Sequence, residues 1–178
     1  VALGNQALDD GSLSGNNNTA VGSVALTANT SGAENTAVGM QSLDANTTGS
    51  SNSGMGVNTL TSNTEGDHNT AVGRDALQNN TTADSNTAVG RSALSANTTG
   101  TNNVAVGYQA LIANTTGSSN VAVGVGALDS NTTSTDSTAV GTNALGVNTG
   151  AGNTAVGSHA LDANTSGINN VAVGVNAL

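Results

Sequence analysis

Apolar and polar positions along this chain follow one short period. The segment Thr-Ala-Val-Gly, written Val-Ala-Val-Gly in three copies, Val-Ala-Leu-Gly in the first and Ser-Gly-Met-Gly in the fourth, closes on Gly4, Gly22, Gly39, Gly56, Gly73, Gly90, Gly107, Gly124, Gly141, Gly157 and Gly174. Successive glycines stand 17 residues apart, except for 18 in the first interval and 16 between Gly141 and Gly157. Four residues after each of them comes a leucine, from Leu8 to Leu178. The unit reads Asn-Thr-Ala-Val-Gly-x-x-Ala-Leu-x-x-Asn-Thr-Thr-Gly-x-x, and its positions are numbered 1 to 17 from the first Asn. Disordered low-complexity chain has no reason to hold Leu at one offset through eleven copies.

A 17-residue unit is too short for a helix-pair repeat and too long for a single strand. Thr-Ala-Val alternates with period two, which predicts a short β-strand with the residues at positions 2 and 4 on one face. Gly and Asn-Thr-Thr-Gly punctuate it as turns. The predicted fold is therefore all-β: a parallel β-solenoid of about ten coils, one repeat per coil, in a single array over residues 1–178. At a strand spacing of about 4.8 Å such a stack is roughly 50 Å long.

Stacking turns each consensus position into a column. The expectation is that the Val column, with Met55 in its missing rung, lies inside together with the Leu column. The Ala column then permits close approach by the opposite wall or by another chain. Asn29, Asn46, Asn63, Asn80, Asn97, Asn114, Asn131, Asn148 and Asn164 form a ladder at the turn, and a second Asn column runs from Asn18 to Asn170 with Ser137 as its break. Stacked amides bond to one another and to turn backbone, so a structural role is predicted for both columns.

Composition narrows the chemistry. Ala, Asn, Thr and Gly make up 104 of 178 residues; Tyr108 is the sole aromatic, and Pro, Cys and Lys are absent. A net charge of −9 argues against nucleic acid, whose phosphates require a basic surface. No apolar run reaches membrane-spanning length, so no membrane insertion is expected. Without cysteine there is no disulfide framework or thiolate chemistry. The opening Val-Ala-Leu-Gly reads as mid-motif, which suggests a piece of a longer fibrous protein.

Several local patterns are lures. The triplets Asn46-Thr47-Thr48 and Asn97-Thr98-Thr99 match the N-glycosylation acceptor, but an inward ladder Asn cannot carry a glycan. Gly54-Met55-Gly56 and Gly124-Val125-Gly126 lack the helix and lysine of a phosphate loop. His68 and His159 are more than five coils apart, and Asp67-His68 reads as a solvated turn. No acidic column persists, so a repeated calcium site is not expected, and no metal, cofactor or catalytic constellation emerges. Ice binding requires two outward Thr columns with one inward residue between them, whereas the turn threonines, such as Thr47 and Thr48, are adjacent.

Position 6, just after the closing glycine, varies most. Arg74, Arg91 and Tyr108 occupy it in three consecutive coils, preceded by Met40 and Val57. Stacked guanidiniums repel at one strand spacing, which places the pair on a solvated edge that Asp75 relieves. Arg and Tyr are enriched where proteins meet partners, so these three are the predicted binding stripe.

The run Asn103-Val104-Ala105-Val106-Gly107-Tyr108-Gln109-Ala110 resembles the Ser-Val-Ala-Ile-Gly-x-x-Ala core of the heads of trimeric autotransporter adhesins of the YadA type. It is also similar to shaft repeats of phage and bacterial tail-fibre-like proteins. The resemblance implies a left-handed parallel β-roll, three chains side by side, and adhesive or structural display at a cell or virion surface. The unit departs from those heads by its extra Asn-Thr-Thr turn. The expected function is thus a non-enzymatic extracellular fibre or adhesin segment, self-associating as a homotrimer or stacking head to tail into a filament. A module binding surface glycans or a host receptor is the alternative, with an ice-binding solenoid behind it.

Overall fold

In the computed structural model, which describes residues 1–9 and 14–178, the chain forms one parallel sheet of eleven strands and, among those residues, no helix. The strands are β1 (Ala2–Leu3), β2 (Thr19–Val21), β3 (Thr36–Val38), β4 (Ser53–Met55), β5 (Thr70–Val72), β6 (Thr87–Val89), β7 (Val104–Val106), β8 (Val121–Val123), β9 (Thr138–Val140), β10 (Thr154–Val156) and β11 (Val171–Val173). They stack in sequence order with like position on like position, for example Ala88 on Ala105 and Val89 on Val106. The β-solenoid with one repeat per coil is therefore the architecture.

The rest of each coil is a series of turns whose backbone bonds run to the coils on either side. Leu94 N–H donates to Ala110 O of the next coil at 2.9 Å, while Ser92 N–H donates to Arg74 O of the preceding one at 2.9 Å. Interior coils thus satisfy their backbone polar groups without a second strand.

The core differs from the expected one in a single respect. Leu26, Leu43, Leu60, Leu77, Leu94, Leu111, Leu128 and Leu145 are fully buried, as the period predicted. The Val column is not inside. Val38, Val89, Val123, Val140 and Val156 each leave 36–38% of their surface in solvent, and Met55 leaves 47%. Ala20, Ala37, Ala71, Ala88, Ala105, Ala122, Ala139 and Ala155 are the fully buried members of the strands. Alternation along a strand allows only one of the two sets to face inward. A 17-residue coil has a narrow lumen, and Leu at position 9 with Ala at position 8 nearly fills it, so the facing strand must present a methyl group. The Ala column accordingly meets the opposite wall of its own coil.

The one exception to the Ala column shows how tight this fit is. Gly54 takes the place of Ala in β4, and the position-8 residues of two adjacent coils are Ser42 and Thr59 rather than Ala. Their hydroxyls share a 2.8 Å hydrogen bond, and Ser42 Oγ donates to Gly54 O at 3.1 Å. A Cβ on Gly54 would lie 2.5 Å from Ser42 Oγ. The two hydroxyls occupy the volume that an alanine methyl fills elsewhere.

Two backbone features hold the coil closed. The glycine at position 5 has φ between +117° and +144° in every copy, and at Gly107 a Cβ would meet Gly124 O at 2.5 Å, so no other residue fits. Leucine at position 9 is more unusual: from Leu8 to Leu161 its φ lies between 49° and 54°. The left-handed region costs a branched residue about 1–2 kcal/mol. Full burial of a leucine side chain returns roughly 1.5–3 kcal/mol, so the residue stays where the coil needs both a sharp bend and a large apolar group.

Candidate functional site

Polar groups inside the solenoid form two continuous ladders. In the first, Asn46 Nδ2 donates to Asn29 Oδ1 at 2.8 Å, Asn63 to Asn46 at 2.8 Å, Asn80 to Asn63 at 2.8 Å and Asn97 to Asn80 at 2.9 Å. Asn114 and Asn131 continue it at 2.9 Å each. Every rung's second amide hydrogen goes to the position-15 carbonyl three residues on, such as Gly100 O from Asn97 at 2.9 Å. The column breaks where the coil shortens to 16 residues: Asn148 Nδ2 turns to Gly150 O, and Asn131 Oδ1 accepts nothing from the protein. It resumes from Asn164 to Asn148 at 2.8 Å.

The second ladder, at position 1, works through the backbone. Asn103 N–H donates to Asn86 Oδ1 at 2.9 Å, and Asn103 Nδ2 donates to Gly117 O at 2.9 Å. Both columns converge on the carbonyls of position 15. These Asn residues are structural, and Asn46 and Asn97 are fully buried, which removes their acceptor triplets from the surface.

A third column was not foreseen. Thr30, Thr47, Thr64, Thr81, Thr98 and Thr115 each donate Oγ1 to the carbonyl of the threonine one coil on, at 2.9 to 3.2 Å. The invariance of Thr at position 13 was the available signal. With these hydroxyls bound to backbone, and the residue at position 14 ranging from Thr to Ser31 to Glu65, the turn edge carries no regular pair of free hydroxyl columns.

The outer surface carries the remaining chemistry. Arg74, Arg91 and Tyr108 are all exposed, one per coil in three successive coils, so the predicted stripe is intact as a surface feature. The Arg91 guanidinium carbon sits 5.7 Å from the centre of the Tyr108 ring, within cation–π range. Arg74 Nε pairs with Asp75 Oδ2 at 3.2 Å, the relief expected for the stacked guanidiniums, and this is the sole ion pair among the described residues. Met40, Val57 and Val125 are exposed in the same column.

Positions 2 and 4 form an outward face, since Ala at position 3 points in, and exposed position 6 lies along its edge, just beyond the glycine bend. Face and edge together hold Thr or Val, then Val, then the variable column, and no acidic residue occupies any of the three positions in any copy. Acidic groups gather beyond its two margins instead. On the margin that precedes the strands, Asp67 and Asp84 stand on adjacent coils at position 16. Ser50 N–H donates to Asp67 Oδ1 at 2.6 Å, and Asp67 N–H donates to Asp84 Oδ1 at 2.7 Å. Each carboxylate is held by one oxygen, and its other oxygen makes no hydrogen bond among the described residues. No regularity of sequence marked this pair, because position 16 is Asn, Ser, Thr, Ala or Ile in other coils.

Two further features complete the surface. His68 is exposed, whereas His159 shares hydrogen bonds with Ser158 Oγ at 2.9 Å and Asn143 Nδ2 at 3.3 Å. A shallow notch of about 280 Å³ is lined by Asp129, Ser130, Asn143, Gly146, Val147 and Asp162, opened by the missing side chain of Gly146 between the two carboxylates. Among the described residues no three His, Cys, Asp or Glu side chains converge as metal ligands would. Comparison with protein-family models, with curated proteins and with solved structures finds no match to this chain.

Proposed function

We propose that this chain is a segment of a non-enzymatic structural and adhesive fibre, displayed at a cell or virion surface and built from several copies side by side. The observation that carries the reading is the outward face of the strands. It offers Val or Met at position 4 in ten successive coils, begins each strand with Thr, Ser or Val, and is free of carboxylates on a chain of net charge −9. Exposed, contiguous apolar surface of this kind marks interaction sites. A strip roughly 50 Å long and about four residues wide covers on the order of 600–700 Å², close to one partner's share of a stable interface. The interior supports the same role, because asparagine and threonine ladders repeat a local interaction indefinitely and let a rod grow by adding coils. A homotrimer is the assembly that the resemblance to adhesin heads implies.

Analytical ultracentrifugation tests the reading. The chain is expected to sediment as an oligomer, and Val106→Lys with Val123→Lys, both on solvent-facing positions, is expected to yield folded monomers. An unaltered chain that sediments as a monomer at all concentrations overturns it.

A further inference from the structure

The outward face has unlike margins, and their charges are in step. Arg74 and Arg91 occupy position 6 of two adjacent coils; Asp67 and Asp84 occupy position 16 of two adjacent coils on the other side of the strands. Each aspartate precedes its arginine by seven residues. With a rise of about 4.8 Å per coil, Asp67 and Arg74 therefore lie within about 2 Å of the same height, as do Asp84 and Arg91. They do not meet within one chain, since the strand face separates them and Arg74–Asp75 is the sole ion pair among the described residues. In a lone chain Asp67 and Asp84 are like charges one coil apart, which is unfavourable, and of the two stacked arginines only Arg74 has a carboxylate partner, Asp75.

We propose that these four residues set the orientation and axial register in which copies of this chain associate: parallel and level, with Arg74 against the partner's Asp67 and Arg91 against the partner's Asp84. The proposal rests on the reading that the strand face is shared between copies. Rotation about an axis parallel to the rod carries the arginine margin of one copy onto the aspartate margin of the next. An antiparallel pairing, by a two-fold axis across the rod, lays arginine margin on arginine margin and aspartate margin on aspartate margin. A slip of one coil leaves one arginine and one aspartate without a counterpart. The valine columns are nearly uniform along the axis and tolerate either orientation and any whole-coil slip; the charges discriminate. Asp67 and Asp84 suit the role because each spends one carboxylate oxygen on a backbone N–H and is held in place with the other free.

Two measurements test this. In sedimentation at low salt, Arg74→Gln with Arg91→Gln, or Asp67→Asn with Asp84→Asn, is expected to weaken association about tenfold, less at high salt. Asn preserves the Oδ1 acceptor, so circular dichroism and melting should match the parent. All four changes in one chain are expected to weaken association little beyond either pair, because each pair acts through the other. For orientation, Ser31→Cys and Ser166→Cys carry spin labels on exposed turns eight coils apart, about 38 Å along the axis. In parallel assemblies same-site labels lie closer than mixed ones; in antiparallel assemblies the order reverses. Antiparallel distances, or association indifferent to both neutralised pairs, overturn the register proposal and leave the shared face standing. Indifference to the arginine changes, with their loss abolishing retention on a uronic-acid polysaccharide matrix, assigns the arginines to an external ligand and also overturns it. A chain that never associates removes the shared face itself.

Discussion

Replacing Asn97 by Leu at the middle of the stack should lower the unfolding free energy by about 3–5 kcal/mol, although the substitution adds apolar surface to the interior. Asn97 donates to Asn80 Oδ1 and to Gly100 O and accepts from Asn114 Nδ2. Its loss strands one buried acceptor and one buried donor, each at about 1–3 kcal/mol. Gly100 O keeps a partner, because Asn86 Nδ2 also donates to it at 2.9 Å. The side chain introduced must also occupy a slot shaped for a flat amide. The same change at exposed Thr99, two residues on, should shift stability by less than about 0.5 kcal/mol. Urea denaturation followed by circular dichroism measures both. Equal effects at the two sites would show that the ladder does not hold the coils together.

The second large effect concerns the apolar core. Leu94→Ala should cost about 2–5 kcal/mol, since Leu94 is fully buried and the narrow lumen cannot collapse around the vacancy. The variant keeps a left-handed backbone at that position without the burial that stabilises it. Val106→Ala, in the adjacent coil, should cost under about 1 kcal/mol to the fold of the single chain, because that valine faces out. Denaturation of both variants under dissociating conditions separates them. A Val106→Ala loss as large as that of Leu94→Ala would place the valines in the core after all.

That contrast also marks how far the sequence was legible. The period, the number of coils, the inward leucines and both asparagine columns follow from spacing alone, because an exact repeat forces like positions to stack. Which face of Thr-Ala-Val turns inward did not follow, since hydrophobicity ranks Val above Ala and lumen width is a property of the closed coil. The sequence held a clue in side-chain size. Position 3 never exceeds Ala from Ala2 to Ala172, whereas position 4 admits Leu3, Val and Met55. Variation in bulk is tolerated where a side chain meets solvent and excluded where it meets a wall. The positive φ of the leucine at position 9 was likewise invisible, because no propensity predicts a branched residue there; burial overrides the local preference.

At the surface, the variable column found the exposed Arg74, Arg91 and Tyr108, because two arginines and one aromatic stand out on so plain a chain. The matching Asp67 and Asp84 escaped notice for the opposite reason. Acidic residues are scattered over several positions, and the relation of this pair to the arginines appears only when the coil is closed and its two margins are compared at one height.

The outward strand face as the seam between copies is tested most directly by thiol accessibility in a chain that contains no native cysteine. Val106→Cys and Thr99→Cys are alkylated side by side in the native assembly and in urea. Thr99→Cys should react at nearly the same rate in both conditions, whereas Val106→Cys should be slowed at least tenfold in the assembly and released by urea. A Val106→Cys that reacts as fast as Thr99→Cys in the native protein would mean that the face is open to solvent and that copies do not meet there.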